Sequence, residues 1–318
     1  MTLLWPALAV IGGLVLLVTA AEVFVGGAEG VAVRLRWSPA VIGAVVVGFG
    51  TSLPELVASA VAALAGEPDL AIGNAAGSNV ANLLLILGVA ALIAPIRGGA
   101  RGPGRDIAMA SGAGLALIGL AADGRLGLLD AALLLVALAA ATGWQSLRAR
   151  STAARDTTAA PGARGPRTPL ALRISGGLVG VIAGAQALVW GATHIATALE
   201  VPSIVVGSVM VAVGTSLPEL ATATASARRG QTELLIGNLI GSNLFNTLGV
   251  VGVAALIGAS RGDALRVDTA ALGVVVAAGF VTCAVGLWLW RHPQVSRPAG
   301  AALVLLYAAA IPLLVAVS

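Results

Sequence analysis

Ten apolar runs divide this chain, and their length limits what it can fold into. With approximate edges they cover 5–28, 38–65, 70–94, 106–122, 126–147, 172–199, 202–227, 233–258, 268–290 and 298–317. A helix needs roughly 20 apolar residues to cross the hydrocarbon core of a bilayer. Runs this long and continuous read as membrane helices, since barrel strands are shorter and alternate in polarity. The composition agrees: 58% of the 318 residues are hydrophobic and 10% are charged, and mean hydropathy is +0.99. A soluble domain carries about a quarter charged residues, so lipid must serve as part of this chain's solvent.

The basic balance does not indicate nucleic acid. All 18 basic residues are Arg, nearly all between the apolar runs. With the N-terminus placed outside and ten spans counted, only Arg125, Arg261 and Arg266 fall in outside loops, and the other fifteen fall inside. That asymmetry is the positive-inside rule. It explains the high pI by topology alone, and omitting one span would scramble it. The single Cys283 allows no internal disulfide. The first run has no basic residues before it and is read as a first span, not a cleaved leader.

The runs fall into two related sets. GTSLPEL at 50–56 recurs letter for letter at 214–220, and IGN, GSN and GVAALI recur at the same offset of 164 residues. From 50 to 93, 24 of 44 positions match their partners without a gap. Such self-similarity marks a duplicated unit. Each half holds five spans, an odd number, so the second copy enters the membrane from the opposite side. This is the inverted repeat of many secondary transporters. The expected organisation is an all-α polytopic membrane protein of ten helices. Residues 1–150 form the first half, with its repeat at about 43–95. Residues 170–318 form the second half, with its repeat at about 207–259. The Ala-, Thr-, Arg-, Pro- and Gly-rich stretch 151–169 reads as a flexible cytoplasmic linker.

The chemistry lies in the repeats. Thr51 and Ser52 precede Glu55 by four and three positions and share its helical face. Pro54 removes a backbone donor and disturbs the turn before it, which frees carbonyl oxygens near the carboxylate. Thr215, Ser216, Pro218 and Glu219 repeat the arrangement. A carboxylate at mid-span costs several kcal/mol without a partner, and no Arg lies at similar depth. The missing positive charge must come from a bound cation or proton; two protonated structural glutamates are the plainer reading for one such residue, and a poor one for two. In the next span Asn74, Ser78 and Asn82 recur every four residues, as do Asn238, Ser242 and Asn246. Ser78, Asn82, Ser242 and Asn246 are read as contacts to the cation or its carboxylates. Asn79 and Asn243, about 100° off that face, are read as interhelical hydrogen bonds. Neither repeat holds His or Cys, and this set of hard oxygen donors suits Ca²⁺ and similar cations.

GTSLPE followed by GSNxxN, present twice, resembles the α-repeats of the cation/Ca²⁺ exchanger superfamily, in its prokaryotic sodium/calcium exchanger branch. With the span count and short linker, the resemblance extends over almost the whole chain. It implies both termini outside and one site between the second, third, seventh and eighth spans. It implies cation contacts at Thr51, Ser52, Glu55, Ser78 and Asn82, and at Thr215, Ser216, Glu219, Ser242 and Asn246, with the first and sixth spans sliding against the rest. The sequence departs from the family at one point: Asn82 and Asn246 are both amides, where sodium/calcium members commonly carry Asp in one repeat. The expected site charge is then −2, which one Ca²⁺, two Na⁺ or two H⁺ would neutralise. Na⁺ follows from the motif branch, while H⁺ stays open because carboxylates at membrane depth protonate readily.

The expected activity is thus antiport of Ca²⁺ against Na⁺, with antiport of Ca²⁺ or another divalent cation against H⁺ as the alternative, by a multi-pass protein of the cell (inner) membrane, working as a monomer without a cofactor. A passive channel is the alternative from another class. An intramembrane enzyme ranks last, for want of any catalytic dyad in the spans. Among other polar residues, Glu22 and Gln186 are expected to hydrogen-bond neighbouring helices. Glu29 and His194 are expected to reach the interface. Trp5, Trp37, Trp144, Trp288 and Trp290 are expected in an aromatic belt, and Trp190 in packing.

Overall fold

A computed structural model describes residues 3–97, 104–153, 169–199, 214–262, 264–292 and 294–317. The first part of the expected seventh span and most of the linker lie outside these residues. The described helices are α1 (Leu4–Leu35), α2 (Pro39–Thr51), α3 (Leu53–Ala65), α4 (Pro68–Ile93), α5 (Gly104–Ala121), α6 (Leu128–Ala153) and α7 (Leu170–Ala198). They continue as α8 (Leu217–Arg228), α9 (Thr232–Ser260), α10 (Thr269–Arg291) and α11 (Arg297–Val317). Among the described residues six of these are long and apolar enough to cross a membrane, and the bent pair α2 and α3 makes a seventh span.

Local chemistry sets the ends. Ser38 caps α2 by accepting a hydrogen bond from Val41 N, with Pro39 in the first turn, the arrangement in which a missing proline donor costs nothing. Gly66 closes α3 in the left-handed region at φ +80°, and Asp268 caps α10 by accepting from Ala271 N.

The helices pack as two bodies. One apolar cluster joins α3, α4, α5, α9 and α10. A second joins α1 and α7 and reaches α2, α8 and the start of α9. Helices α1 and α7 run antiparallel, backbone against backbone. A Cβ on Gly13 would meet Leu188 N at 2.6 Å, and one on Gly184 would meet Leu17 N at 2.6 Å. Small residues permit such close approach where lipid gives no hydrophobic drive to associate. In the larger body α5 packs on α10, α4 on α11 and α6 on α9, and α2 joins the two bodies by packing on α9.

Two short antiparallel strand pairs were not anticipated. Ile96–Arg97 (β1) pairs with Gln294–Val295 (β4), and Arg125–Leu126 (β2) with Leu265–Arg266 (β3). Each pairing is only two residues long, too short to leave a strand pattern in the sequence. The strands hold loops from opposite halves together.

Candidate functional site

The second expected span breaks where the motif breaks it. Ser52 leaves helical geometry at φ −84°, ψ 8° between α2 and α3, which meet at 43°. Ser216 does the same at φ −87°, ψ 0° before α8. Pro54 and Pro218 lie in the first turns of α3 and α8, where they cost the new helix no hydrogen bond but give none to the preceding turn. Each break places its glutamate in the first turn of a half-helix, Glu55 on α3 and Glu219 on α8. Unpaired N–H groups and the helix dipole favour negative charge there.

All ten expected site residues lie among the described ones and all are buried. Glu55 and Glu219 are both 0% exposed, and they lie close enough for their charges to interact. The two halves interlock at this point. The Ser52 hydroxyl, from the first half, donates to Glu219 Oε1 at 3.0 Å. The Ser242 hydroxyl, from the second half, donates to the Gly48 carbonyl at 3.2 Å. Thr51 donates to Val47 O at 3.0 Å, which leaves its oxygen lone pairs free to accept.

Buried polar atoms in proteins almost always have partners. Eleven buried side-chain atoms among the described residues have none, and eight of them belong to this site: both Glu55 oxygens, Glu219 Oε2, Asn82 Oδ1, Thr215 Oγ1, Ser216 Oγ and both amide atoms of Asn246. Seven of those eight are oxygens. Such a concentration of unsatisfied acceptors has the hard-oxygen chemistry that a Ca²⁺-like cation takes. Among the described residues no third acidic, His or Cys side chain joins the pair, and the ion pairs of Arg228 and Arg229 with Glu22 and Glu29 involve none of the site residues. The site charge is at most −2.

Asn74 and Asn238, on the same helical face as the site residues, brace the half-helices instead. Asn74 Nδ2 donates to Glu55 O at 3.2 Å and Ser59 Oγ at 3.0 Å, and Asn238 Nδ2 donates to Thr222 Oγ1 at 3.2 Å. The interhelical reading of Asn79 and Asn243 holds, and these two extend the network. Sequence reasoning missed π-helical turns at Asn82–Ile86 and Asn246–Val250, which open the helix at the last motif residue of each repeat. Such wide turns often mark functional positions, but their apolar sequence carries no signal for them.

Outside the site, Glu22 makes the expected contact with a neighbouring helix, its Oε1 accepting from Arg228 Nη2 at 2.8 Å. Two other expectations change. Glu29 pairs across helices, its Oε2 with Arg229 Nη2 at 2.6 Å. The two-pronged contact with Glu29 pushes the Arg229 guanidinium further above its ordinary range. Trp190 is not in the packing but 48% exposed, against His194, because its face of α7 turns away from α1.

The family model described as sodium/calcium exchanger protein matches residues 5–147 and 170–315. CaxA of Alkalimonas amylolytica, a putative antiporter by its name, is 34% identical over 307 residues, 94% of this chain and 95% of that protein. The inner membrane protein YrbG of Escherichia coli is 33% identical over 306 residues, covering 94% and 93%. A solved structure of the sodium-calcium exchanger NCX_Mj superposes with a TM-score of 0.85 at 28% identity, covering 98% of this chain and 100% of that one.

Proposed function

Because the chain belongs to the sodium/calcium exchanger family, we propose that it is a secondary active antiporter exchanging Ca²⁺ for Na⁺ across the cell membrane by alternating access. The observation that carries this reading is the pair of fully buried carboxylates in a shell of unpartnered oxygens. Two bare charges in a low-dielectric interior cost several kcal/mol each, so a cation must supply what no Arg among the described residues supplies. One Ca²⁺ or two Na⁺ meets the requirement, and neither fits while the other is bound. A site that switches sides only when neutralised couples the two flows.

Glu55 and Glu219 supply the charge in this reading. Thr51, Ser52, Ser78 and Asn82 contribute oxygens from the first half, and Thr215, Ser216, Ser242 and Asn246 from the second. When the cation leaves, the half-helix N-termini and the Ser52 hydroxyl soften the exposure of the carboxylates. Helices α1 and α7 act as the moving body, a role supported by their close glycine-lined contact with each other, which lets them move as one unit.

The topology is ten spans in two inverted halves, with both termini outside and 151–169 cytoplasmic. Strand pairing supports it. The β1–β4 pair joins loops that the Arg count places inside, and β2–β3 joins loops that it places outside. The same chain closes the site from both halves, which supports function as a monomer, and the YrbG relative supports an inner-membrane location.

The test is ⁴⁵Ca²⁺ uptake into proteoliposomes loaded with Na⁺, repeated with choline in place of Na⁺ under an imposed proton gradient. Uptake that requires internal Na⁺ is expected. Uptake driven by protons alone would make the protein a Ca²⁺/H⁺ exchanger. Uptake with no counter-ion gradient would make it a channel.

A further inference from the structure

The repeats are near copies, yet their last motif residues are held differently. Asn243 Nδ2 donates to the main-chain carbonyl of Asn79 at 3.2 Å. A carbonyl only accepts, so the amide of Asn243 has one possible orientation, with Oδ1 on its other side. There it accepts from Asn82 Nδ2 at 2.9 Å. Asn82 is thereby turned as well: its nitrogen is engaged and its Oδ1 is left buried without a partner. A fixed backbone atom dictates, through two amides, that position 82 presents oxygen.

The second half lacks the equivalent chain. Symmetry would have Asn79 hold Asn246. Instead Asn79 Nδ2 donates to Thr247 Oγ1 at 2.8 Å, and both amide atoms of Asn246 have no partner among the described residues. The cause lies in the sequence, because the position matching Thr247 in the first half is Leu83, which offers no hydroxyl. Asn79 therefore turns toward Thr247, and with it and Thr282 lines a small cavity.

We propose that Asn243 is a positioning residue that fixes Asn82 as an oxygen ligand for the cation, while Asn246 is left free to turn. The inference rests on the cation site proposed above. An asparagine free to rotate offers NH₂ to the cation as readily as C=O, and NH₂ repels it. An aspartate has two equivalent oxygens and needs no such orientation. The dependence on Asn243 should therefore vanish once Asn82→Asp is introduced.

The experiment measures the KM for Ca²⁺, the maximal uptake rate and the melting temperature of full-length protein in proteoliposomes and detergent. The variants are Asn243→Ala and Asn243→Leu, each alone and combined with Asn82→Asp, beside Glu55→Gln. Removing Asn243 is expected to raise KM roughly tenfold with Asn82 present, the size of a lost hydrogen-bonding contact to charge, and no more than about twofold in the Asn82→Asp background. Equal rises in both backgrounds would make Asn243 structural and overturn the proposal, as would an unchanged KM. Leu fills the volume that Ala empties, so agreement between the two separates orientation from packing. If Glu55→Gln exchanges normally, the site reading itself fails; if it is inactive while the Asn243 variants keep the parental KM, only the positioning role fails.

Discussion

A glutamine at position 55 or 219 keeps the shape of the side chain and removes one of two charges. Neither carboxylate has an Arg partner among the described residues, so the substitution leaves no orphaned cation behind. Folding should therefore survive, and the melting temperature should hold or rise, since a buried charge has been removed. Ca²⁺ uptake should fall by about 100-fold or more, the cost of losing a charged ligand in a dry site. Proteoliposome flux and a detergent melting curve on the same preparation check both. These residues were legible because mid-span acids are rare and each arrives with the same hydroxyls and proline. The orientation of the amides was not, since it depends on which carbonyl lies across the helix interface. Nor were the partners of Glu22 and Glu29, because nothing in the sequence brings α1 beside the end of α8.

At the scale of the element, the broken helices depend on tight backbone contact as much as on proline. In α9 a Cβ on Gly241 would run into the backbone of Ala44 on α2, and backbone cannot turn aside as a side chain can. Gly241→Ala should cost about 1–3 kcal/mol by overpacking and lower the melting temperature. Gly112→Ala on α5, where a Cβ meets nothing within 4 Å, should leave it unchanged. Thermal melts of both variants with the parent decide the matter. The helix edges themselves followed from length and caps, so most expected spans match a described helix within a few residues. The strands and π turns did not follow, because each involves too few residues to leave a pattern.

At the scale of the whole molecule, the proposed exchange makes the charge of the site set the ion ratio. A site of −2 that holds one Ca²⁺ or two monovalent ions moves no net charge per cycle. Exchange should therefore generate no membrane potential, which a voltage-sensitive dye in the proteoliposomes would report. Asn246→Asp adds a third negative charge and a third place for a monovalent ion. It should convert the protein to electrogenic exchange, visible as a potential that builds with Ca²⁺ uptake.

The strand pairs and the site share a property that bears on how the molecule is made. The contacts that close the centre join one half to the other: Ser52 to Glu219, Asn82 to Asn243, β1 to β4 and β2 to β3. A ribosome delivers the first half well before the residues that meet it. Until then Glu55 has no completed shell, and the loops at 96–97 and 125–126 have no strand to pair with. Contacts so distant in sequence form late and slowly, so the nascent first half must wait in the bilayer as an open, incomplete body. On this account the two halves should assemble even when they are not covalently joined. Synthesised as separate chains cut within 151–169, they carry between them each of these closing contacts.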